Sequence, residues 1–170
     1  MPSRQKAKGN NFERTVAKHL SGVFGYNFER VPTSGAMTGG MNAWVLERLS
    51  ESQKLLLEGD LIPPDELSNI KIECKTLKKF NFSSLIKGNK TMDDWIEQAK
   101  SNHKIWFLIF KINNRGSFIV THEFFFNKFS INSNYIVYGN NYIVAMDGFF
   151  EENKDTIIKM NNEWSRNKPN

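Results

Sequence analysis

Cysteine occurs once in 170 residues, at Cys74. A single thiol excludes an internal disulfide and any zinc site assembled from several cysteines. Histidine is nearly as scarce, with three residues and no H-E-x-x-H spacing, which argues against a zinc hydrolase as well. No apolar run approaches the roughly 20 residues that cross a bilayer, and the charged first residues lead into no apolar segment of the signal-peptide kind. A cytoplasmic protein with no membrane partner is the expectation. No serine or cysteine nucleophile with a supporting base stands out either, which leaves carboxylates and cations as the candidate chemistry.

What the chain has instead is charge in blocks. The formal net charge is +5, and 39% hydrophobic with 13% aromatic residues suits one globular domain over residues 1–170. Residues 1–30 carry a net +4, residues 31–70 a net −4, residues 71–115 a net +6 and residues 116–170 a net −1. An acidic segment set between basic ones is what a metal site working on phosphodiesters needs, since cations draw in the backbone and carboxylates hold the ion. An ordinary solvated basic surface leaves the same signature.

The acidic and basic blocks meet between Glu58 and Lys79, EGDLIPPDELSNIKIECKTLKK. At the two-residue period of a strand, Ile70, Ile72 and Cys74 share one face while Lys71, Glu73 and Lys75 share the other, so one face is core and the other is chemistry or solvent. Pro63, Pro64, Asp65 and Ser68 supply a turn between this strand and a short run at Gly59–Ile62. If the two runs pair as antiparallel neighbours, Asp60 and Glu73 can offer two carboxylates to one hard cation, with the Lys75 ammonium on the same face. The E-x-K letters recur at Glu152-Asn153-Lys154, but there no β-branched strand leads into them. Cross-strand Lys and Glu pairs on an exposed face are the alternative.

Residues 1–9 read as a flexible basic arm. A helix is expected from Asn10 or Asn11 to about Phe24, with an apolar stripe of Phe12, Val16, Ala17, Leu20, Val23 and Phe24. Glu13 falls inside that stripe, and an inward carboxylate demands a partner. Either Asn10 as N-cap forms a capping box with it, or a metal or its bound water lies opposite. A first strand is expected over Tyr26–Val31. The glycine-rich loop PTSGAMTGG follows, in which Thr33 and Ser34 can donate to a phosphate or the glycines only permit a turn. Residues 43–58 read as a helix, a lid or an insertion.

Beyond Lys79, the mixture of Phe80, Phe82, Lys87 and Lys90 suits nucleic acid, or its rings pack under the loop. Thr91 is expected to cap a helix running to about His103, with Met92, Trp95, Ile96 and Ala99 inward and Gln98 at the edge. KIWFLIFKI, Lys104–Ile112, is apolar on both faces and reads as a central strand. Asn113–Gly116 turns it into a strand over Ser117–Thr121. A short helix at Glu123–Phe129, a hairpin over Tyr135–Ala145 turning at Gly139-Asn140-Asn141, and a terminal helix at Phe149–Trp164 complete the expectation.

The motifs KGNNFER (Lys8–Arg14), TSG (Thr33–Gly35), Gly59-Asp60 and IECK (Ile72–Lys75) occur in the order of the PD-(D/E)xK nuclease superfamily, which the chain resembles. Within it, the K-G-x-x-x-E-R opening and the S-G loop look most like archaeal-type Holliday junction resolvases. The likeness spans residues 8–121 and treats 122–170 as a C-terminal extension. It implies an α/β (α+β) restriction-endonuclease-like core, a central mixed sheet flanked by helices in αβββαβ order. It also implies a Mg²⁺-dependent endonuclease, with Mn²⁺ able to substitute, acting on DNA, branched DNA included, as a homodimer in recombination or repair. By that likeness Asp60, Glu73 and the Cys74 main-chain carbonyl would ligate the metal, and Glu13 would join them directly or through water. Lys75 would act on the attacking water, with Ser34 and Gln98 assisting. Lys6, Lys8, Arg14, Lys78, Lys79, Lys87 and Lys90 would meet DNA. A restriction-type or repair nuclease on duplex DNA, and a noncatalytic DNA-binding protein on the same fold, are the alternatives. Gly59 stands where the family motif more often has proline, and the segment Met37–Glu58 is longer than in a minimal resolvase.

Overall fold

A computed structural model describes residues 4–31 and 58–166, with side chains over 6–31 and 58–164. The Pro32–Gly40 loop with Thr33 and Ser34, nearly all of the helix expected over residues 43–58, and Met1–Ser3 lie outside the described residues.

The chain forms α1 (Arg4–Phe24), β1 (Glu29–Arg30), β2 (Leu61–Ile62), β3 (Ile70–Leu77), α2 (Lys90–Ala99), β4 (Ile105–Ile112) and β5 (Gly116–His122). There follow α3 (Glu123–Phe126), β6 (Tyr135–Tyr138), β7 (Asn141–Ala145), α4 (Phe149–Glu152) and α5 (Lys154–Arg166). Five strands make one sheet in the order β3-β4-β5-β7-β6. The β3–β4 pair is parallel and the remaining pairs are antiparallel. The parallel pair needs a crossover, which α2 provides. This is the mixed sheet flanked by helices that the resemblance implies, in the expected αβββαβ order through β4.

β4 lies inside the sheet, and every residue of it except Lys111 is buried. An uninterrupted apolar run is what a strand covered on both faces requires. Phe107, wholly buried, has Phe150 at 5.5 Å between ring centroids and Phe129 at 6.0 Å. Removing such a ring costs roughly 3–5 kcal/mol. Asn114 and Gly116, at φ 58 and 93, turn β4 into β5, as a tight hairpin demands.

The C-terminal third completes the same sheet. β7 pairs with β5 from Phe118↔Ala145 to His122↔Asn141, and β6 then forms the outermost strand among the described residues. Tyr135, Ile136 and Val137 on β6 are exposed. From α5, the buried Asn161 accepts from the Asn69 amide at 3.0 Å and donates to the Glu66 carbonyl at 2.8 Å. The last helix thereby holds the turn that leads into β3.

Several local expectations are corrected. α1 begins at Arg4, so the described part of the basic arm is helical. Asn10 is no N-cap: its Oδ1 accepts from Arg30 Nη2 at 2.9 Å. Only Glu29 and Arg30 of the expected first strand are extended and paired. Asn89, not Thr91, caps α2, its Oδ1 accepting from the Met92 amide at 3.0 Å. α2 stops at Ala99 because Lys100 turns to ψ 144. The helix expected over Glu123–Phe129 spans Glu123–Phe126 only. The terminal helix is broken at Asn153, whose Nδ2 donates to the Phe149 carbonyl at 2.9 Å and to the Ser130 carbonyl at 3.0 Å. Phe80 and Phe82, half-buried, pack on Phe110 and Phe118 at the edge of the core.

Candidate active site

The second strand does not pair with β3 as expected. β2 pairs antiparallel with β1, Glu29↔Ile62 and Arg30↔Leu61, while Asp60 just before it is held to both neighbours by its backbone. Its amide donates to the Ile72 carbonyl at 2.8 Å and its carbonyl accepts from the Val31 amide at 3.0 Å. Gly59 makes this approach possible. It sits at φ +87, and a Cβ there would lie 2.5 Å from the Ile72 oxygen. Proline, with φ locked near −65°, cannot occupy that conformation, so the departure from the commoner family motif is a backbone requirement.

The Asp60 carboxylate turns along β3. Its Oδ2 accepts from the Cys74 amide at 2.8 Å. Glu73 and Lys75 lie two residues apart on one face of the strand, and Lys75 Nζ donates to Glu73 Oε1 at 2.7 Å. The other face carries Ile72 and the buried Cys74 side chain, as the alternation requires. The polar face is not open to solvent, however. Glu73 and Lys71 are each less than one-tenth exposed. Lys71 serves a different purpose from its neighbours: its Nζ donates to the Gln98 carbonyl at 2.7 Å and the Lys100 carbonyl at 3.1 Å. That satisfies backbone acceptors left over at the end of α2.

Glu13 is buried on the inward face of α1, as its place in the apolar stripe requires. Arg30 meets it there: its Nε donates to Glu13 Oε2 at 2.5 Å while its Nη2 donates to Asn10 Oδ1. Arg30 was not singled out by the sequence reading; an arginine at the end of a short strand has no local signature.

Electrostatics tie these groups together. Burial, followed by the neighbouring Glu73 carboxylate, pushes the Asp60 carboxyl from its ordinary 3.8 up to about 7, with Glu13 adding to the push and the Cys74 amide and Lys75 opposing it. Burial and the same three acids push the Cys74 thiol well above its usual range. Three acids therefore share one field, but they are not gathered into one ligand set. Among the described residues no three His, Cys, Asp or Glu side chains stand positioned to hold an ion. Asp60 and Glu73 are the pair brought together beside β3, while Glu13 lies near enough to act on Asp60 and is bonded to Arg30. That pair suits a small hard cation, which takes one or two carboxylates and fills its remaining positions with water and substrate oxygen. Its mutual repulsion is what a cation would relieve.

The other named residues are spread more widely. Ser34 lies outside the described residues. The Gln98 side chain is exposed at the end of α2. Lys6, Lys8 and Arg14 are exposed on α1, and Lys78 and Lys79 are exposed just past β3. Lys87 is exposed just before α2 and Lys90 is exposed at its first residue, where it pairs with Asp94 at 3.1 Å.

The model of the family described as "Phage putative PDDEXK endonuclease" matches residues 4–170. No curated protein and no solved structure matches the chain. No helix among the described residues is long and apolar enough to cross a membrane.

Proposed function

Because this chain belongs to the phage PDDEXK endonuclease family, we propose that it is a Mg²⁺-dependent endodeoxyribonuclease, with Mn²⁺ able to substitute, and that Asp60, Glu73 and Lys75 form its catalytic centre. The observation that carries this reading is the Asp60 carboxylate, fixed on the Cys74 amide at 2.8 Å where burial, and after it the Glu73 carboxylate, raises its pKa. Two crowded carboxylates beside an ammonium are unfavourable alone and favourable around a cation.

Asp60 and Glu73, with the main-chain carbonyl of Cys74, would hold the ion. A divalent cation there supplies Lewis-acid activation of water and of the phosphoryl oxygens. Lys75, already 2.7 Å from Glu73 Oε1, places its ammonium where charge builds on the phosphorane and orients the attacking water. Arg30 and Glu13 act as positioning residues that fasten α1 to the strand leading toward Asp60. The finer reading is action on branched DNA, four-way junctions included, as a homodimer; the K-G-x-x-x-E-R opening on α1 and the S-G loop sequence support it.

Linear, flap and four-way-junction DNA are incubated with the protein and Mg²⁺ or Mn²⁺, with EDTA as control. Cleavage that disappears in EDTA and in Asp60→Ala and Glu73→Ala is the expected result. No cleavage of any substrate, or undiminished cleavage by either variant, overturns the proposal. Preference for junctions over plain duplex separates the resolvase reading from a restriction or repair nuclease.

A further inference from the structure

α1 presents a second face besides the one that holds Glu13. Lys8, Asn11, Phe12 and Thr15 follow the i, i+3, i+4, i+7 spacing that places four residues on one side of a helix. They form one wall of a groove of about 1160 Å³, whose other wall runs from Thr76 to Lys79 past the end of β3. Lys111 projects into it from β4, the one exposed residue of an otherwise buried strand. A charged residue there has no packing reason, and its Nζ stands 6.0 Å from the Phe12 ring centroid. Lys8, Lys78, Lys79 and Lys111 thus line a single concavity, with no acidic side chain among its described lining residues. The β3 wall of the groove begins at Thr76, which alternates to the face of the strand opposite Lys75, so the groove lies around the edge of β3 from the Glu73–Lys75 face.

We infer that this groove, with Lys111 as its floor, grips the sugar–phosphate backbone of a duplex DNA arm leading away from the scissile phosphate. Four ammonium groups match a polyanion. The Thr76–Lys79 wall, at about 3.3 Å per residue, spans on the order of three or four nucleotides of one strand at about 3.4 Å each. Single strands are held by rings on which bases stack, and the groove offers none. Phe12 is buried with only 6% of its surface exposed, and Phe80 and Phe82, half-buried against the core, do not line the groove. The grip is therefore electrostatic and independent of sequence. It deepens the nuclease reading by naming the form of the substrate, and it rests on that reading only for the position of the cut.

The test is duplex and single-strand binding of the full chain in EDTA at several salt concentrations, followed by cleavage with Mg²⁺. Each lysine that neutralises a phosphate contributes about 0.9 to the slope of log K against log salt on duplex. Lys111→Ala is expected to lower that slope by about one, and the fourfold Lys8, Lys78, Lys79 and Lys111→Ala variant by about 3.6. Lys111→Arg retains it, and Lys159→Ala, a lysine on α5 away from the groove, leaves it unchanged. Wild-type slopes in Lys111→Ala and in the fourfold variant, or tighter binding of single strand than of duplex, overturn the inference. Failure of the nuclease reading looks different: the slopes fall as expected while no DNA is cut.

Discussion

Replacing Asp60 with Asn should make the metal-free protein more stable while destroying its cleavage activity. The Asp60 carboxyl titrates near 7 in the folded chain against 3.8 ordinarily, a shift of about three units at about 1.36 kcal/mol each. Ionising it in place therefore costs the native state about 4 kcal/mol. Asn retains an oxygen for the Cys74 amide, and the charge it removes from that hydrogen bond is already contained in the net shift. The gain at pH 8 is then about 4 kcal/mol, or about 8–16 °C in Tm for a chain of this size. The sign follows from proton counts. Between about pH 4 and 7 the folded state binds more protons than the unfolded one, so wild-type stability falls as pH rises. The gap between variant and wild type should thus be near zero at pH 4, open through that window and be complete above pH 7. Thermal unfolding in EDTA at pH 4, 5, 6, 7 and 8 reads it directly. Adding Mg²⁺ at a hundredfold excess over Kd should stabilise wild type by about 2.7 kcal/mol and leave the Asn variant unmoved. An Asn variant no more stable than wild type at pH 8, or a gap that does not vary with pH, would refute the reasoning.

Lys75→Ala should lower kcat by about 10²–10³-fold with KM little changed, because its ammonium meets charge that exists only in the transition state. At subsaturating Mg²⁺, cleavage should climb with pH up to about 7, where Asp60 loses its proton, and saturating metal should shift that profile to lower pH. Gly59→Ala should cost about 2–3 kcal/mol and abolish Mg²⁺-dependent stabilisation, since the left-handed backbone and the close Ile72 oxygen force Asp60 away from β3. Arg30→Ala leaves Glu13 buried without its guanidinium and should cost about 3 kcal/mol in urea unfolding; an undiminished midpoint would remove Arg30 from the positioning role.

The elements that the sequence made legible are those whose pattern is local. The run Ile105–Phe110, apolar on both faces, reads as a doubly covered strand, and Gly139-Asn140 reads as the turn before β7. Glu13 was readable as inward because three-dimensional burial follows directly from the 3.6-residue period of its helix. What escaped depended on partners distant in the chain. Asn10 looked like a cap until Arg30, twenty residues on, took its side chain and allowed the helix to continue back to Arg4. Lys71 shared a strand face with Glu73 and Lys75 and looked like their companion, but the end of α2 claims it. Asn89 beat Thr91 to the cap by two residues, a margin that propensity does not resolve. Lys111 gave a signal that was there to be read: one cation interrupting a strand with no other polar side chain between Ile105 and Ile112.

The outermost strand carries a consequence of its own. β6 reads Tyr-Ile-Val-Tyr, with no lysine or proline to discourage visitors, and Tyr135, Ile136 and Val137 are each partly exposed. Natural sheets usually blunt such margins with charge. At the concentrations used for crystallisation or overexpression, this short ribbon is where molecules of the protein would stick together. A single lysine in place of Val137 is the substitution to make first when the protein has to be kept in solution.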